Sequence, residues 1–176
     1  AEYAEIIGKN LGDLGQNFIT HNEPSVVALI GHGWGWHAPG MQSADAVMAV
    51  THHLNLAHGL AVSRLRNTVP EAKLGTVITM QPVIDWENDP DGSARLDALS
   101  NRAFTDPALL GTYPDLISEE ISDFVQEDDL RTIHQPLDFF GLNHYTTVRA
   151  RSSQDTALGV KIIQPPLEIP QTVKGW

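Results

Sequence analysis

No cysteine occurs among the 176 residues, which removes disulfides, thiolate zinc sites, iron–sulfur clusters and cysteine nucleophiles together. Positive charge is scarce as well: 11 Lys and Arg stand against 22 Asp and Glu, for a formal net charge of -11. Repulsion from phosphate groups opposes a nucleic-acid partner and an anionic membrane surface alike, and neither is expected. No apolar run approaches the roughly 20 residues that span a bilayer. The opening Ala1-Glu2-Tyr3-Ala4-Glu5 lacks the cationic start of a signal peptide. The chain therefore reads as soluble, with a cytoplasmic location as the expectation. What is present is a globular composition, 41% hydrophobic and 19% charged, and a length that suits one domain over residues 1–176.

Strands and helices alternate along the chain. Tyr3, Ile6, Ile7 and Leu11 recur at helical spacing before Gly12 and Gly15. Residues 16–22 read as a short strand around Phe18 and Ile19, ended by Pro24, and residues 31–40 as a glycine-rich loop. Ser43 predicts an N-cap for a long helix whose stripe is Val47, Val50, Leu54, Ala57, Ala61 and Leu65, closed beyond Arg66 by Pro70. A second strand is expected over 73–81, helices over 92–104 and 115–127, and a third strand over 137–145. The run Leu137-Asp138-Phe139-Phe140-Gly141-Leu142 suits a strand covered on both faces. The tail from 152, with Pro165, Pro166 and Pro170, reads as loop or extended chain. The order is that of an α/β fold with three strands, the outer two carrying unpaired edges.

Several attractive motifs fail. Gly31-His32-Gly33-Trp34-Gly35-Trp36 lacks the third glycine of a dinucleotide fingerprint, and neither a phosphate loop nor a Gly-x-Ser-x-Gly elbow occurs. Of the eight histidines, His52, His53 and His58 share the long helix, but none lies four residues from another. They read as hydrogen-bonded packing histidines, and no metal site is expected. The acids from Asp115 to Asp129 oppose Ile117, Ile121, Phe124 and Val125, so they read as a solvated helix face. No cofactor is implied.

Two strand ends carry more. Thr20-His21-Asn22-Glu23-Pro24 sets a carboxyl beside a carboxamide at the edge where parallel sheets bind ligands. An amide can hold a hydroxyl while the carboxyl moves a proton. Taken alone, the same five residues also make an ordinary strand-to-loop junction. At the third strand end, Asn143 and Tyr145 lie two residues apart and share a face. They suit a polar rim for a sugar, or a half-buried tyrosine with a satisfied hydroxyl.

Longer stretches make the pattern specific. Thr20–Pro24 followed by Gly31-His32-Gly33 and Gly35-Trp36-His37-Ala38-Pro39-Gly40 resembles the acid/base region of family 1 glycoside hydrolases, the β-glucosidase family. His53-Leu54-Asn55-Leu56-Ala57-His58-Gly59 resembles the helix that follows it. Asn101-Arg102-Ala103-Phe104-Thr105-Asp106-Pro107 with Gly111-Thr112-Tyr113-Pro114, and Asp138 through Thr146, match further family stretches in family order. The resemblance implies a retaining β-glycosidase on a TIM (β/α)8 barrel, of which this chain corresponds to the middle, about strands four to six. Glu23 would be the general acid/base and Asn22 would bind the sugar 2-hydroxyl. Asn143 and Tyr145 would line the same subsite, the tyrosine hydroxyl facing the nucleophile, and Trp36 and His37 would lie nearer the aglycone entrance. The implied partner is a β-glucoside or a short oligosaccharide.

Pleating sends neighbouring side chains to opposite faces, so Asn22 and Glu23 can meet one ligand only if the strand loses its regularity there. Ser25 stands where the family often has a large residue. The family's nucleophile motif, Ile/Val-Thr-Glu-Asn-Gly, is absent from these residues. The expectation is a truncated enzyme carrying the acid/base carboxyl, with Asp85 or Glu87 as conceivable second acids. The alternative is a silent sugar-binding remnant that pairs with its own copies through the open sheet edges.

Overall fold

The computed structural model describes residues 1–85, 88–166 and 168–173. Three parallel strands form its centre: β1 (Asn17–Asn22), β2 (Lys73–Thr79) and β4 (Phe139–Asn143), with β2 in the middle. Phe18 lies opposite Leu74, and Thr79 opposite Asn143. A second sheet pairs β3 (Val83–Ile84) parallel with β5 (Val148–Ser152), which in turn pairs antiparallel with β6 (Val160–Ile163). Six helices flank the sheets: α1 (Glu2–Leu11), α2 (Ala44–Thr68), α3 (Pro90–Asp97), α4 (Ala103–Leu109), α5 (Asp115–Ser122) and α6 (Asp129–Ile133). Among the described residues, no helix is long and apolar enough to cross a membrane.

The expected long helix forms as α2, with the Ser43 hydroxyl accepting from the Ala46 N–H at 3.3 Å. Its buried face differs from the apolar stripe read in the sequence. Thr51, His52, Asn55 and His58 are buried beside Val47, Met48, Val62 and Leu65, whereas Val50, Leu54, Ala57 and Ala61 are only half-buried. Asn55 and His52 survive there because they are bonded. The Asn55 amide donates to the Ala103 carbonyl at 2.9 Å and to the Tyr113 hydroxyl at 3.2 Å. The His52 ring bonds that same hydroxyl and the Asp129 carboxylate, each at 3.0 Å.

Three other expectations change. The helix expected over 92–104 is interrupted by a π-helical segment, Ala98–Arg102, that lets Asn101 turn inward. The tail beyond 152 is partly a hairpin, because Gly159 adopts φ +71 and lets β6 fold back so that Val160 is buried. On β4, Phe140 and Leu142 are 36% and 58% exposed, so the apolar run is covered on one face only. The outer edges of β1 and β4 carry no further strand among the described residues.

Candidate active site

The C-terminal ends of the three central strands converge. Between Ile19 and Asn22 the register of β1 against β2 shifts, and Glu23 takes the left-handed conformation at φ +52. Its N–H still donates to the Val77 carbonyl at 2.9 Å, so the strand is bent rather than released. The loss of regularity expected at this point is what turns Asn22 and Glu23 to the same neighbour. Asn143 at the end of β4 donates to Asn22 Oδ1 at 3.1 Å and to Glu23 Oε1 at 2.7 Å. The Tyr145 hydroxyl donates to Glu23 Oε1 at 2.5 Å. Asn143 and Tyr145 thus reach the same oxygen, although β4 ends at Asn143 and Tyr145 lies beyond it.

The structure thus brings Asn22, Glu23, Asn143 and Tyr145 into one hydrogen-bonded group, with Glu23 half-buried. The hydrogen bond to Glu23 raises the Tyr145 pKa, and burial adds to the effect. Among the described residues of this group, Glu23 is the one carboxylate that the hydroxyl meets.

Trp36 and His37 sit in the stretch of chain that precedes α2. They follow a π-helical segment, Val26–Gly33, where the Trp36 ring stacks on Trp34 with centroids 5.4 Å apart. Both are exposed, and the His37 N–H donates to the Ile30 carbonyl. Among the described residues neither hydrogen-bonds to the group around Glu23. Of the two conceivable second acids, Asp85 accepts from the Asp89 N–H at 2.7 Å, beside α3. Glu87 lies outside the described residues. No group of three or more His, Cys, Asp or Glu among the described residues could hold a metal ion.

Two supporting residues were not singled out in the sequence as parts of the site. Gln81 accepts from the Thr146 N–H at 2.9 Å and the Tyr145 N–H at 3.3 Å. Asn101, buried, bonds both the N–H and the carbonyl of Gln81. The available signal was position: Gln81 follows the central strand at the edge that also holds Glu23 and Tyr145.

The sequence profile of glycosyl hydrolase family 1 matches residues 1–165. The chain belongs to this family. A bifunctional β-D-glucosidase/β-D-fucosidase of Bifidobacterium breve is 38% identical over 192 aligned residues, covering 100% of this chain and 41% of that protein. The crystal structure of a psychrophilic β-glucosidase from Micrococcus antarcticus superimposes with a TM-score of 0.87 at 34% identity, over 99% of this chain and 43% of that one. The β-glucosidase of Thermotoga maritima in complex with deoxynojirimycin gives a TM-score of 0.84 at 32% identity, over 100% of this chain and 40% of that one. The chain spans about two-fifths of the length of the curated relatives it matches. Its three-stranded parallel sheet with flanking helices is accordingly an unclosed part of a family 1 (β/α)8 barrel.

Proposed function

We propose that this chain carries the acid/base part of a retaining β-glucosidase site, with Glu23 as the proton-transferring carboxyl. One observation carries the reading: the hydrogen bonds from Asn143 and Tyr145 both fall on Glu23 Oε1. With both donors on Oε1, Oε2 is the oxygen left free to pass a proton to a glycosidic oxygen. In the first step Oε2 protonates the departing oxygen while a second carboxylate attacks the sugar carbon. In the second step the ionised Glu23 takes a proton from water, and that water releases the sugar. Asn22 donates its carboxamide to the 2-hydroxyl, and Asn143 fixes both neighbours. Trp36 and His37, both exposed, would meet the leaving group, as the family resemblance implies. The attacking carboxylate, needed about 5–5.5 Å from Glu23, is not assigned to any residue of this chain. The ligand is a β-glucoside or a short β-linked oligosaccharide, in keeping with the inhibitor bound by the Thermotoga maritima relative.

Calorimetry with deoxynojirimycin, beside an assay with p-nitrophenyl β-D-glucoside, tests the assignment. Glu23→Gln is expected to weaken inhibitor binding about tenfold, the loss of one charge-assisted contact. Whatever hydrolysis the chain shows should fall by about 10²–10⁴ in the same variant. Azide should partly restore turnover in Glu23→Ala by replacing the water that Glu23 activates. Binding and hydrolysis unchanged by Glu23→Gln overturn the assignment.

A second reading, sugar binding without turnover, is favoured by the single carboxylate in the hydrogen-bonded group. Self-association through the outer edges of β1 and β4 would accompany it. Inhibitor binding that depends on Glu23, with no release of p-nitrophenol, selects this reading.

A further inference from the structure

Tyr145 reaches Glu23 from a stretch of chain that belongs to neither sheet. The β2–β4 ladder ends at Thr79 and Asn143, and the β3–β5 ladder begins at Val83 and Val148. Between them the backbones are joined at the ends by Met80 N–H to Asn143 C=O and by Val148 N–H to Pro82 C=O. The Pro82 carbonyl is engaged by Val148, and the intervening N–H groups of Tyr145 and Thr146 take a side-chain acceptor instead. The Gln81 side chain supplies it: one amide oxygen accepts from both, at 3.3 and 2.9 Å. Its amide nitrogen donates to Thr79 Oγ1 at 3.1 Å, which fixes the orientation of the group.

The anchor of that side chain is itself anchored. Asn101, 4% exposed, accepts from the Gln81 N–H at 3.2 Å and donates to the Gln81 carbonyl at 2.9 Å. Its amide also donates to Asp97 at 2.7 Å. A run of hydrogen bonds therefore leads from Asp97 through Asn101 and Gln81 to the backbone of Tyr145, and from the Tyr145 hydroxyl to Glu23.

We propose that Gln81, held by Asn101, is the positioning residue that keeps the Tyr145 hydroxyl on the Glu23 carboxylate. This rests on the reading of Glu23 as the acid/base carboxyl, but its first readout needs no sugar. Bonded to Glu23, the Tyr145 phenol titrates above the ordinary tyrosine value of 10.0. Its titration is isolated by ultraviolet difference against Tyr145→Phe in each background. Gln81→Met keeps the length and loses the acceptor; Gln81→Glu keeps an acceptor oxygen. The Tyr145 midpoint should move back toward about 10 in Gln81→Met, and stay at or above the wild-type position in Gln81→Glu. Deoxynojirimycin binding should weaken about fivefold in Gln81→Met, the loss of roughly one neutral hydrogen bond, and recover in Gln81→Glu.

A Gln81→Met chain that titrates like wild type overturns the proposal. So does fast amide exchange of Thr146 in the wild-type chain, a measurement that needs no variant. Failure of the acid/base reading has a different signature: inhibitor binding indifferent to Glu23→Gln, whatever Gln81 does to the phenol.

Discussion

Glu23 sits at φ +52, a conformation that costs a non-glycine residue about 1–3 kcal/mol. The surrounding residues hold it there through its N–H bond to Val77 and the two donors on its carboxylate. Through Thr20, the same strand meets a histidine with a perturbed pKa. His58 of α2 bonds Thr20 Oγ1 through Nδ1 at 2.6 Å, and its Nε2 is buried with no partner among the described residues. Burial, and then the neighbouring His21 ring, push its pKa down to about 4. A depressed histidine pKa means that the unfolded chain takes up the proton first as pH falls. The stability due to neutral His58 is complete above about pH 6.5 and drains away toward pH 4, by about 3 kcal/mol in all. Thermal melts should therefore lose more between pH 7 and 4.5 in the wild-type chain than in His58→Gln. Parallel losses would refute this.

Residue by residue, strand ends and a family pattern pointed to Asn22, Glu23, Asn143 and Tyr145, which form one hydrogen-bonded group. A period of two grouped Asn143 with Tyr145 but would have parted Asn22 from Glu23. Gln81 was not legible, because its task is to accept main-chain N–H groups across a gap between ladders. No side-chain periodicity encodes such a gap.

At the scale of elements, α2 makes the closest approach. A Cβ on Gly59 would stand 1.9 Å from the Thr132 carbonyl oxygen, where α6 lies against the helix. In an open helix, Gly→Ala gains about 1 kcal/mol. Here backbone meets methyl, and Gly59→Ala is expected to lose about 1–3 kcal/mol instead. Urea unfolding measures it, with exposed Ser63→Ala, on the same helix, as the control that should gain a little stability. Equal gains at both sites would mean that α6 yields freely. The start and end of α2 were plain from Ser43 and Pro70, yet its buried face was not. Hydrophobicity points at Leu54 and Ala57, whereas the protein buries His52 and Asn55 because Tyr113, Asp129 and the Ala103 carbonyl wait for them. Such partners lie 48 to 77 positions away and leave no local trace. The interruption of the helix at Ala98–Arg102 escaped for a related reason: it serves Asn101 and its bond to Gln81.

For the molecule as a whole, two apolar clusters share the same scaffold. One gathers Met48, Ile78, Leu96, Phe104, Ile117 and Leu158; the other holds Val62, Leu65, Ala72 and Leu74, with Phe18 and Leu137 against it. Helix α2 and strand β2 run through both, so loss of either cluster removes support from the other. Leu74→Ala should cost about 2–5 kcal/mol and still leave one transition, coincident by circular dichroism and tryptophan fluorescence. Two separated transitions would show that the clusters are independent units. Architecture at this scale was readable from the alternation of strands and helices and from the family pattern. The small second sheet was not, since a two-residue strand and a four-residue hairpin arm are below what periodicity can register.

Glu23 and its two donors stand at or just beyond the ends of β1 and β4, strands that do not pair, with β2 between them. A slip of β4 by a single residue would present Leu142 and His144 where Asn143 and Tyr145 belong. The hydrogen bonding at this edge is therefore a proofreader of strand assembly, because only a correctly threaded sheet can hand both donors to the carboxylate.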